Sequence, residues 1–149
     1  MAALRELGVE PSLETFNQRK VIQKLCYLLE SFGVDLGFRF GWYLHGPYSS
    51  NVAHVLYDNP EAFSAKADTN VLSEEEKIKI KAMRNFLGED LGVPDALELL
   101  VSLHFLLHAV QTSGSGGERD VIETLRKLKP SFSQEQVERA YRKAKQIPS

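Results

Sequence analysis

Cysteine, methionine and tryptophan are scarce here: one Cys, two Met and one Trp in 149 residues. With Cys26 alone, no intramolecular disulfide and no multi-cysteine metal site can form, which is the usage of a reducing compartment. No apolar run approaches the length that spans a bilayer. Met1 to Leu13 also lacks the basic start and apolar centre of a signal peptide, so the expected location is the cytoplasm, away from membranes. A strong charge of either sign is missing too. A formal net charge of -2 falls far short of the cationic excess with which proteins hold polyanions nonspecifically. Residues 117 to 149 are locally basic, with eight Lys or Arg against five Asp or Glu, whereas residues 1 to 75 hold six against ten. That bias fits a solvated helix surface or an acidic partner.

What the chain does have is the composition of a globular protein, 43% apolar and 26% charged, enough to fold as one domain over residues 1–149 without staples. After a short polar lead, Thr15 and Gln18 have capping-box spacing, and Ile22, Leu25, Cys26, Leu29 and Phe32 recur at helical intervals up to Gly33. From Phe38 to Leu44 the period changes to two, which predicts an extended strand. Gly46-Pro47 is expected to break that strand into a turn, with Ser49 or Ser50 capping a helix through Val52, Val55 and Leu56 that ends at Asp58-Asn59-Pro60. Residues 61 to 72 read as a connection.

Ser73 and Glu76 repeat the capping-box signature and predict a helix to about Leu87. Pro94 suits a first helical residue, and residues 94 to 111 are apolar on nearly every side, as a central helix should be. Thr112 to Gly117 is a flexible connector rather than a phosphate loop, because Glu118 stands where a lysine would be needed. Two amphipathic helices follow, one through Val121, Ile122, Leu125 and Leu128, the other capped by Ser133. The expected fold is therefore mainly α: a compact bundle of about six helices with a short extended segment or small β-hairpin near residues 36–45.

Few residues stand out for chemistry. His104 and His108 share a helix face and could reach one metal ion, but two ligands make no site, and Phe105 replaces the glutamate of the zinc-protease motif. His45 lies between Tyr43 and Tyr48 beside a tight turn, either as an acid-base group or as part of a structural junction. Cys26 sits among the apolar positions of its helix, where a thiol behaves as a small hydrophobe. No cofactor-binding or metal-binding pattern appears.

Two stretches, Arg19 to Leu29 and Phe40 to Ser49, together resemble the Panacea domain of SocA-like antitoxins and phage-associated GepA-like proteins, and the related YwgA-like proteins. The string Trp42-Tyr43-Leu44-His45-Gly46-Pro47-Tyr48-Ser49 is its more specific half, and Gln23, Lys24 and Tyr27 mark the helix. The resemblance covers about the first 60 residues. It implies a fold-organising or partner-binding motif at those positions, no enzymatic activity, and a role in binding another protein: a cognate toxin, or a protease to which a toxin is presented. Two other readings stay open. One is a DNA-binding regulator using the basic C-terminal helices; the other is a small hydrolase or metal-binding protein using His45, Cys26 or the His104/His108 pair.

Overall fold

The computed structural model of the chain describes residues 2–9, 14–43, 46–50, 52–53, 72–113 and 117–148. Among them the chain is mainly helical, with six α-helices and one two-stranded antiparallel hairpin. In order these are α1 (Ala2–Glu6), α2 (Phe16–Ser31), β1 (Gly41–Tyr43), β2 (Gly46–Tyr48), α3 (Glu74–Leu87), α4 (Pro94–Ser113), α5 (Glu118–Leu128) and α6 (Gln134–Ala144). A 3-10 turn, Gly88–Gly92, joins α3 to α4.

Helix α4 is the axis of the bundle, and its 20 residues extend about 30 Å. Leu97, Leu99, Leu100, Val101 and Leu103 point to different sides of it, yet all are buried. This is possible because α2, α5, α6 and β2 pack around it. Each enclosed leucine contributes about 1.5–3 kcal/mol through burial. The outer helices need only one apolar stripe. In α3 that stripe is Ile80, Met83 and Leu87; in α6 it is Val137, Tyr141 and Ala144. Helix α2 is more enclosed, with Val21 to Leu29 buried without interruption, including Gln23 and Lys24.

Three helices begin on complete capping boxes, Thr15 with Gln18, Ser73 with Glu76 and Ser133 with Gln136. Such a cap is typically worth about 1 kcal/mol. Beyond α2, Gly33 takes φ +92°, a left-handed conformation that suits glycine after a helix end. The chain then runs extended. Glu30 directs it, its Oε1 accepting from the N–H groups of Leu36 at 2.8 Å and Phe38 at 3.2 Å. That carboxylate aims the segment toward the hairpin.

Three elements differ from what the sequence predicts. Residues 2–6 are helical rather than a polar lead, and Ala3, Leu4 and Leu7 are buried, with α1 packed on α3. Helix α4 runs to Ser113, past the expected end at 111. Gly46-Pro47 does not break the extended structure but forms β2, with Gly41 opposite Tyr48, Trp42 opposite Pro47 and Tyr43 opposite Gly46. Alternate pairs of an antiparallel ladder exchange no N–H···O bonds, so a proline with no donor fits the central pair. Ser49 does cap the next turn, its Oγ accepting from Val52 N–H at 3.3 Å. The rest of that expected helix (54–60), the connection at 61–71 and the linker at 114–116 lie outside the described residues.

Candidate functional site

Helix α2 and the hairpin, 23 to 26 residues apart in sequence, are joined by side chains. Gln23 bonds the Ser49 peptide at both ends: its Nε2 donates to Ser49 O and its Oε1 accepts from Ser49 N–H, each at 3.0 Å. Lys24, 2% exposed, donates from Nζ to Pro47 O at 2.7 Å. A buried backbone group costs free energy unless it is hydrogen-bonded. A three-residue ladder leaves several such groups unmatched, and α2 supplies the missing partners.

Tyr27, one turn further along α2, meets α4. Its hydroxyl lies 2.7 Å from His104 Nδ1, and we assign the phenol as donor because it is the stronger acid. Phe40 stands edge-on to the Tyr27 ring at 5.3 Å, and Phe105 of α4 approaches Trp42 at 6.0 Å. Phe40 before the hairpin and Trp42 within it thus close over the α2–α4 seam. Burial holds His104 well below the ordinary histidine value, at about 4, with His108 adding to the effect. Burial likewise pushes the Tyr27 hydroxyl up. At neutral pH both are uncharged.

Beneath the hairpin lies a group of charges that the sequence reading did not single out. Glu98 of α4, 6% exposed, receives Lys20 Nζ at 3.0 Å on Oε1 and Lys129 Nζ at 3.4 Å on Oε2. Lys20 also reaches Asp95 at 3.2 Å, and Lys129 Nζ lies 5.9 Å from the Trp42 ring. Glu98 therefore ties α2, α4 and the end of α5 together. Desolvation lowers Lys24 to about 8, against the upward pull of Glu98. Gly46, at φ +89°, presses on the Ser102 side chain of α4. The Ser102 hydroxyl is fully buried and finds no hydrogen-bond partner among the described residues. One signal in the sequence pointed to this group: a carboxylate between Leu97 and Leu99 on a helix apolar all round has to find cations.

Gln23, Lys24, Tyr27, Trp42, Gly46, Pro47 and Ser49 are thus gathered at one junction, where Tyr48 is half-buried in β2. Tyr43 pairs through its backbone with Gly46. His45 and the side chain of Tyr43 lie outside the described residues. Cys26 is 0% exposed, and burial pushes its thiol up to about 12, so it stays protonated and unactivated. His104 and His108 stack 6.5 Å apart, and His104 is bonded to Tyr27. Among the described residues no three His, Cys, Asp or Glu group together as metal ligands. No helix there is long and apolar enough to cross a membrane. Comparison with known proteins finds no matching family model, no matching curated protein and no matching solved structure.

Proposed function

We propose that the chain is a protein-binding module of Panacea type rather than an enzyme, acting as the antitoxin of a toxin–antitoxin pair or as an adaptor that presents a partner for proteolysis. One observation carries this reading: the polar side chains of the motif are spent on architecture. Gln23 and Lys24 hold main-chain groups of the hairpin, and Tyr27 holds His104. What remains for function is the surface they stiffen. A recognition element fixed before contact loses less freedom on binding, which favours affinity.

The test is co-expression with the product of the adjacent reading frame in the source genome. Expected is growth arrest by that product alone, relief by this chain, and co-elution of the two at fixed stoichiometry. Unrelieved arrest, or a neighbour without effect on growth and without co-elution, overturns the proposal.

A further inference from the structure

Helix α3 turns Ile80, Met83 and Leu87 to the core, which leaves one flank and the far side facing water. That flank has a distinct character. Lys77, Lys81 and Arg84 follow one another at spacings of four and three, so they form one row along the helix. Ile78 lies beside the row, one turn from Lys81, and is 69% exposed, the most open of the large apolar side chains among the described residues. With Asn85 and Glu6 of α1 these residues line a depression of about 400 Å³.

Among the described residues the cations of this face are only partly matched, with Glu6 the one carboxylate in the lining. Lys77 has Glu74 at 3.6 Å, an exposed pair, and Lys79 turns aside to Glu75 at 3.2 Å. The side chains of Lys81 and Arg84 have no ion-pair partner among the described residues. Like charges a turn apart repel one another. An aliphatic side chain at their edge gains from being covered, and apolar surface bordered by charge is typical of contact sites.

We infer that this face of α3 seats an acidic segment of a partner protein, which lays an apolar side chain on Ile78 and sets carboxylates against Lys81 and Arg84. The choice follows from charge complementarity combined with the exposed Ile78. A phosphate backbone would answer the cations and leave Ile78 uncovered. The inference rests on the protein-binding reading above and gives that reading a location.

The experiment is fluorescence anisotropy on the full chain with a labelled peptide of repeated Glu-Glu-Leu triplets, a matched Lys-Lys-Leu peptide and a short DNA duplex. The acidic peptide should bind, more weakly as salt rises. The double variant Lys81→Glu/Arg84→Glu should weaken it about tenfold or more, and Ile78→Ser by about fivefold. Unchanged thermal unfolding of both variants shows that they fold. Equal binding of the Lys-Lys-Leu peptide, variants that bind like wild type, or tighter binding of duplex DNA with no response to Ile78→Ser each overturn the assignment.

The same variants in the co-expression assay separate the two proposals. If wild type and variants relieve arrest equally, the seat is wrong and the module reading stands. If wild type fails while the peptide binds at α3, the antitoxin reading falls and the seat remains.

Discussion

Replacing Gly46 by alanine tests how closely the hairpin is pressed onto α4. Two costs arise at once. At φ +89° an L-residue is disfavoured by about 1–2 kcal/mol. The new Cβ would also lie closer to Ser102 Oγ than real Cβ contacts allow, and overpacking of this kind costs about 1–3 kcal/mol. Gly46→Ala should therefore destabilise by about 2–5 kcal/mol, a drop in Tm of roughly 5–15 °C. Ser102→Ala removes the obstructing oxygen, and the next atom, Ser102 Cβ, lies at an ordinary 3.6 Å. It also removes a buried hydroxyl that has no partner among the described residues, so alone it should be neutral or slightly stabilising. The double variant should keep only the backbone penalty, giving a coupling of about 1–3 kcal/mol. Urea unfolding followed by far-UV ellipticity and by fluorescence measures this cycle. The single tryptophan, Trp42, sits in β1, so fluorescence reports on the hairpin itself. Additivity within about 0.5 kcal/mol would refute the argued contact.

The other predictions concern buried ionisable groups. Lys24 titrates near 8 when folded, against an ordinary 10.5; between those values the unfolded chain binds more protons, so stability should rise with pH through this window. The stability difference between wild type and Lys24→Met, measured at pH 7.5 and pH 10, should shift in favour of wild type, and a constant difference would contradict it. For His104, held near 4 against 6.5, stability present above pH 6.5 should be lost progressively as pH falls toward 4. An NMR titration should show no midpoint above pH 5, and one near 6.5 refutes the assignment. Tyr27→Phe, which strips Nδ1 of its donor, should cost about 1–3 kcal/mol in urea unfolding. Native Cys26 should resist a disulfide-exchange reagent at pH 8 and react only as the chain unfolds; prompt labelling without denaturant would count against its burial.

The helical architecture was legible because its signals are local. Thr15/Gln18, Ser73/Glu76 and Ser133 mark helix starts within four residues, and Pro94 opens α4. Helix α1 escaped because five residues with no cap offer no period to count. Strand β2 escaped because a proline reads as a breaker until its place in the ladder is known, and that depends on the partner strand. The candidate site divides along the same line. Gln23, Lys24, Tyr27 and the Trp42–Ser49 string were visible as two separate stretches, and the fold brings Trp42, Gly46, Pro47 and Ser49 to the first three. Glu98 stood out only as a carboxylate on an apolar helix, and its partners Lys20 and Lys129 were not visible, since ion pairs between α4 and α2 or the end of α5 leave no periodic trace in any of them.

The doubly bonded Gln23 has a consequence for which sequences can carry this fold. One end of its amide must give a proton to Ser49 O while the other receives one from Ser49 N–H. A carboxylate of the same shape offers two acceptors and no donor, so Gln23→Glu would set a negative charge against a carbonyl oxygen. Asparagine keeps the chemistry but is one methylene too short to reach the same peptide. The position therefore acts as a chemical filter that favours glutamine, and an amide lost there by spontaneous deamidation would loosen the hairpin without cutting the chain, with Lys24 on Pro47 O still tying it to α2.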